Sequence, residues 1–283
     1  MKIAFLFLTI NDINFPEIWE NYFKDNYDKI SIYCHPKHPE NVETPWLKKN
    51  IIKNLTTTEW GHFTNAIINL LKAALNDKNN IKFMIVSESC LPIKSFKKFY
   101  NMLSNDHINT SYIDLQKFNL EHFKKFNDKN NLIKNTDKII KHSGWWCLSR
   151  HHIKKLLIQK DISLYQDIKA GDEHILSLIY PSKNIKNLQI TYANWKYIVE
   201  IIDDINNKLL NLYTLKENEN TTKYDEKILK LRKYKCGIGK HPKTYTQLNN
   251  EELNEIKKSS AFFYRKFSPD SNIINFYKEL LID

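Results

Sequence analysis

The chain has 283 residues, 42% of them hydrophobic and 13% aromatic, with a formal net charge of +11. This composition excludes a disordered chain, and the length supplies ample core for one large α/β domain or two small ones. The positive balance suits an anionic ligand such as a nucleotide, and a nucleic-acid surface would look the same at this level.

The opening run Ile3–Thr9 is continuously apolar, as expected of a strand buried on both faces of a parallel sheet. It is too short to span a membrane and lacks a leader cleavage pattern. No later segment reaches about 18 apolar residues. The expectation is a cytoplasmic protein with no integral membrane contact. A helical segment over Glu17–Phe23 and a second strand over Lys29–Cys34, ending in His35-Pro36-Lys37, complete a β-α-β opening. That opening is the usual start of a nucleotide-binding α/β layer. Neither a G-x-G-x-x-G nor a P-loop lysine motif is present, which removes the main support for dinucleotide and P-loop readings.

Glu59-Trp60-Gly61 leads into an amphipathic helix whose Phe63, Ile67, Leu70, Leu71 and Ala74 share one face. The third strand, Lys82–Val86, exits through Ser87-Glu88-Ser89-Cys90-Leu91-Pro92-Ile93. Polar residues at the carboxyl end of a buried strand sit where open α/β sheets place ligands, and an ordinary strand-to-loop exit reads the same. Residues 100–140 are Asn- and Lys-rich and read as an excursion over the surface, helical in part. The block Lys141–Arg150 reads as a strand led by Trp145 and Trp146 and followed by a helix over His151–Ile158. Both rings fit plain core, and both fit the wall of a sugar site.

Next comes Ala170-Gly171-Asp172-Glu173-His174, read as a Gly turn releasing two carboxylates at the start of a buried helix. Acidic residues cap helix starts, and a carboxylate there also suits a general base for a sugar hydroxyl. Leu188–Ala193 reads as a strand running into Asn194-Trp195-Lys196-Tyr197. If that stretch stays extended, Trp195 and Tyr197 point to the same side. Residues 200–232 read as a charged surface insertion. His241-Pro242-Lys243, a helix holding Leu253 and Ile256, and a strand over Ala261–Asp270 close the chain. Lys243 and Lys266 are either solvated charge or a diphosphate grip. The four cysteines, Cys34, Cys90, Cys147 and Cys236, form no C-x-x-C, which argues against zinc and for reduced core thiols.

Taken in order, these blocks resemble the core-2/I-branching β-1,6-N-acetylglucosaminyltransferase family, glycosyltransferase family 14, which also includes the peptide O-xylosyltransferases. The resemblance rests on Glu59-Trp60-Gly61, Ser87–Ile93, His142-Ser143-Gly144-Trp145-Trp146 through Ser149-Arg150, and Asp172-Glu173-His174. It continues through Trp195-x-Tyr197, His241-Pro242-Lys243 and Phe263-Tyr264-Arg265-Lys266-Phe267. It implies an α/β, GT-A-like fold with a mostly parallel central sheet flanked by helices, built as a single domain over 1–283. Within it, 1–95 would bind the nucleotide-sugar and 140–275 would bind the acceptor and carry the chemistry. It implies an inverting, metal-independent transfer of GlcNAc, or alternatively xylose or another sugar, from a UDP-sugar to a hydroxyl of a glycan or glycoprotein. Carried over residue by residue, Glu173 is the catalytic base and Lys243 and Lys266 hold the diphosphate. Trp195, Tyr197, Trp145 and Glu88 are then the acceptor-side residues. No cofactor and no metal are expected. An independent sign agrees: no two aspartates are spaced i, i+2, so the Asp-x-Asp of metal-using GT-A enzymes is missing. The rival of a different class is a basic nucleic-acid-binding protein, which tight salt-dependent binding to RNA or DNA without UDP binding would favour.

Overall fold

A computed structural model of the chain describes residues 1–127, 138–219, 224–237 and 241–281. Strand β1 (Lys2–Thr9), helix α1 (Pro16–Phe23) and strand β2 (Ile30–Pro36) form the opening unit, followed by α2 (Pro45–Lys48), α3 (Thr64–Leu75) and β3 (Asn80–Ser87). Then come β4 (Leu91–Pro92), α4 (Phe96–Asn105), β5 (Ser111–Ile113), β6 (Leu115–Gln116) and α5 (Leu120–Asn127). The middle of the chain holds β7 (Lys141–His142), β8 (Cys147–Ser149), α6 (Arg150–Leu157), α7 (Ile162–Asp167), β9 (Ile185–Asn187) and β10 (Thr191–Ala193). The last part holds α8 (Lys196–Glu219), α9 (Asp225–Gly237), α10 (Asn250–Lys258), β11 (Phe263–Arg265) and α11 (Tyr277–Leu280).

The main sheet has the order β2-β1-β3-β8-β5-β9. β1 runs parallel to β2 and β3, β8 runs antiparallel to β3 and β5, and β9 is parallel to β5. Five strands therefore share one direction and β8 alone is reversed, a largely parallel sheet of the expected α/β class. Side-chain alternation along β1 explains why its sequence is an unbroken apolar run. Ile3, Phe5 and Phe7 enter one core, while Ala4 and Leu6 enter the core on the opposite face. Helix α1 closes the first face with Ile18, Trp19, Tyr22 and Phe23, and α3 closes the second with Ile67, Ile68, Leu70, Leu71 and Ala74.

A smaller sheet, β10-β11-β4, packs on the first core. Its Phe263 ring stacks on Trp19 at 5.9 Å and meets Phe99 edge-on at 5.1 Å. The ends of β1, β2 and β3 converge: the Lys37 amide donates to Thr9 O, His38 to Ile10 O, and Asn14 to Glu88 O.

Two local expectations change, at the last strand and at the carboxylate element, and two surface segments gain defined elements. The strand expected over Ala261–Asp270 is regular only across Phe263–Arg265, after which Phe267 makes an isolated bridge with Tyr245. Residues 200–232 fall largely in α8 and α9, because Ile201, Ile205, Leu209 and Leu212 recur at helical spacing and meet Ile228 of α9. Residues 220–223 lie outside the described chain, as do 128–137 of the expected excursion; the rest of that excursion holds most of α4, then β5, β6 and α5. The carboxylate element is not a continuous helix, as described below.

Cys34, Cys90 and Cys147 are free and buried; the Cys236 side chain lies outside the described set. Among the described residues no helix is long and apolar enough to cross a membrane.

Candidate active site

The turn that carries Glu173 is built by crowding. Ala170 is left-handed, with φ 55°. A side chain on Gly171 would begin 1.8 Å from the Tyr165 carbonyl oxygen, so only glycine fits. The Ala170 amide donates to Gly61 O at 2.6 Å, which ties this turn to the Glu59-Trp60-Gly61 block. Residues Gly171–Glu173 and Ile175–Leu178 form two 3-10 turns broken at His174, whose φ of −130° is not helical. The expected start of a buried helix is therefore corrected. A left-handed residue, a jammed glycine and the break at His174 prevent an α-helix, and no aligned helix dipole stands behind the two carboxylates.

Within the turn the two acids diverge. Glu173 is about a third exposed, and its Oε2 lies 3.1 Å from Lys141 Nζ. Asp172 turns inward: its Oδ2 sits 3.1 Å from where a side chain on Gly144 would begin, and its Oδ1 is buried with no hydrogen-bond partner. Burial, then the neighbouring charge of Glu173, pushes the Asp172 carboxyl up to about 7.

The Asp172–Gly144 contact leads to the basic side of the site. Trp145, next in sequence, is half-buried, and the Arg265 guanidinium lies 4.3 Å from its ring centre. Trp146 is fully buried and belongs to the core. Glu88 follows the carboxyl end of β3, within electrostatic reach of Arg265 and Lys266. Burial pushes the Glu88 carboxyl up, against the pull of its own backbone amide, of Arg265 and Lys266, and of the Ile10 amide. Burial and the Arg265 charge lower Lys266, while Glu88 opposes them. The Lys266 carbonyl accepts from the Tyr245 amide at 2.8 Å, which brings the strand of Lys266 against the loop of Lys243. The Lys243 ammonium is paired with Glu252 of α10 and lies 5.2 Å from the centre of the Tyr245 ring.

The stretch expected to stay extended through Tyr197 does so only up to Trp195. Helix α8 begins at Lys196, so Trp195 precedes the helix while the Tyr197 backbone sits in its first turn. Trp195 is 44% exposed; the Tyr197 side chain is not among those described. Trp60 is 54% exposed, with Lys169 Nζ 4.7 Å from its ring centre and the His241 ring at 5.9 Å.

A chain of neighbours thus links the Glu173 turn, through Asp172 and Gly144, to Trp145, on to Arg265 and Lys266, and from their charge to Glu88; Lys243 stands two residues before the Tyr245 amide that meets the Lys266 carbonyl, and Trp195 is exposed. Two residues escaped sequence reasoning. Arg265 stood inside a quoted block beside Lys266, and the cation next to a lysine was its signal. Lys141 had none, because its partner lies across the fold. Among the described residues no three His, Cys, Asp or Glu side chains gather as metal ligands. A surface cavity of about 540 Å³ lined by Lys24, Tyr27, Trp46 and Lys49, among others, contains none of the residues named above.

Comparison with known proteins bears on the same residues. A sequence profile described as Core-2/I-Branching enzyme matches residues 3–181. Glycosyltransferase BC10 of Oryza sativa subsp. japonica is 24% identical over 169 residues, a match covering 57% of this chain and 41% of that protein. The chain therefore spans well under two thirds of that relative's length. Among solved structures, galactosyltransferase LgtC, held with donor and acceptor sugar analogues, is 14% identical over 69% of this chain and 73% of its own, with a TM-score of 0.33. A197 from STIV is 12% identical over 56% of this chain and 70% of its own, with a TM-score of 0.29. At such scores neither structure adds weight. The profile covers every strand of the main sheet except β9, the β3 exit, the Trp145 block and the Glu173 turn, and on that match the chain belongs to the core-2/I-branching enzyme family.

Proposed function

We propose that this protein is an inverting glycosyltransferase that moves GlcNAc from UDP-GlcNAc to a hydroxyl of a glycan or glycoprotein without a metal. The observation that carries the reading is the Glu173 carboxylate, one third exposed on a glycine-locked turn inside the family-matched region. Glu173 takes the proton of the acceptor hydroxyl while that oxygen bonds to the anomeric carbon from the face opposite UDP. The bond from that carbon to the β-phosphate oxygen breaks, and UDP leaves with the electron pair. Lys266 and Lys243 meet the charge that develops on the diphosphate, with Lys243 exchanging Glu252 for the phosphate oxygens. Arg265 adds a planar donor whose Nε is buried without a protein partner. Trp145 and Glu88 line the acceptor side with Trp195 and Tyr197. The charge of +11 draws in an anionic donor, and the missing Asp-x-Asp supports phosphate neutralisation by side-chain cations.

The test is UDP release across UDP-GlcNAc, UDP-xylose, UDP-galactose and UDP-glucose, in excess EDTA, with a panel of oligosaccharide acceptors. UDP-GlcNAc should turn over in EDTA. Glu173→Gln should lower turnover by roughly 10²–10⁴ with UDP affinity unchanged. Activity that vanishes in EDTA and returns with Mn²⁺ would overturn the metal-free mechanism. Near-normal turnover of Glu173→Gln would remove the base.

A further inference from the structure

The ion pair of Glu173 with Lys141 lies outside every role given above. A general base must hold one oxygen within about 2.6–3.2 Å of the hydroxyl it deprotonates. The backbone of Glu173 is fixed by Ala170 and Gly171, but the side chain beyond it is a flexible rod, one third exposed. Lys141 meets that rod at its tip, 3.1 Å from Oε2.

The two backbones carrying the pair are stapled together on both sides of the contact. His174, the residue after Glu173, sets its Nδ1 2.8 Å from the carbonyl oxygen of Ile140, the residue before Lys141. The Ile140 amide donates to Ser177 Oγ at 3.0 Å. His142, the residue after Lys141, accepts the Leu176 amide at Nε2 and sets its Nδ1 2.8 Å from Ser143 O. These contacts fit neutral rings that each donate through Nδ1. Burial pulls His142 down to about 3 and lowers His174 as well, so both staples persist through the neutral range. Asp172 is the other acid near this lysine, and its carboxyl faces Gly144.

We infer that Lys141 is a positioning residue for the general base, holding Oε2 of Glu173 so that Oε1 is presented to the acceptor hydroxyl. This rests on the reading of Glu173 as the base. Ion pairs exposed to this degree, about a third at each partner, contribute little to stability, so the consequence of losing Lys141 falls on turnover.

The experiment compares Lys141→Met, Lys141→Arg, Glu173→Gln and the double variant Lys141→Met/Glu173→Gln. The readouts are kcat, both KM values, UDP binding by calorimetry and melting temperature. Lys141→Met should lose roughly tenfold in kcat, a misplaced base discounted for solvent exposure, while UDP affinity holds. Lys141→Arg should recover most of that loss. The double variant should be no slower than Glu173→Gln, since Lys141 acts only through Glu173. Lys141→Gln is read in the same way if Lys141→Met does not fold. Wild-type kcat in the lysine variants beside an inactive Glu173→Gln overturns the inference and leaves the base in place. A further loss in the double variant overturns it too, by placing Lys141's action elsewhere. Normal turnover in Glu173→Gln removes the base and the inference with it.

Discussion

Asp172 shows how one buried oxygen shapes behaviour with pH. Its carboxyl is raised to about 7 by burial first and by Glu173 second, whereas an unfolded chain ionises it near 4. Between those values the folded state holds a proton that the unfolded state has released, so rising pH removes stability across that window. Above about 7 both states are ionised and the penalty is constant. Asp172→Asn mimics the protonated acid at every pH. Its melting temperature should therefore exceed that of the wild type at pH 8, with the gain shrinking as pH falls through 7 and gone near pH 4. An equal gain at pH 5 and pH 8 would rule out this carboxyl as the titrating group. In the sequence, Asp172 and Glu173 were legible as an acidic pair after a glycine. Which acid turned inward was not, because that depends on Gly144, a neighbour only in the folded chain.

At the scale of elements, legibility followed hydrophobic contrast. β1, β3 and α3 were plain because unbroken runs and wide apolar stripes survive any context. α8 was missed because its stripe of Ile201, Ile205, Leu209 and Leu212 is narrow and set among Asn, Asp and Lys, a composition that reads as loop. The turn around Glu173 was misread as a helix because the Tyr165 carbonyl that Gly171 must clear is not adjacent to it in sequence. The α8–α9 pair keeps a small core of its own around Ile205, Leu209 and Ile228, apart from the two sheet cores. Ile205→Asp should therefore open this pair alone. Limited proteolysis should then cut between residues 200 and 237, while UDP affinity and the main thermal transition hold. Collapse of the main transition would show that the pair shares in the central core.

At the scale of the whole molecule, β11 joins parts of the chain that are far apart in sequence. Phe263 lies among Phe5, Trp19, Tyr22 and Phe99, so a residue from the C-terminal region packs on aromatic rings from the first hundred residues. Phe263→Ala should remove about 3–5 kcal/mol, a large share of the roughly 5–15 kcal/mol that holds a domain folded. Chemical denaturation read by tryptophan fluorescence measures it, because Trp19 stacks on that ring. A loss below about 1 kcal/mol would mean that the cavity closes over. Lys266 follows β11 directly, so on the proposed diphosphate role of that lysine, loosening this strand should also weaken UDP binding.

The same insertion sets an order for biosynthesis. β11 pairs with β4 on one side and β10 on the other. A ribosome delivers Phe5, Trp19 and Phe99 long before it delivers the ring that covers them. Through most of translation, that aromatic face is wet and open to other nascent chains. The yield of folded protein in a recombinant host should therefore fall as the interval between the synthesis of Trp19 and that of Phe263 lengthens. Pausing in the middle of the message lengthens the exposure, and a chaperone that shields the face shortens it.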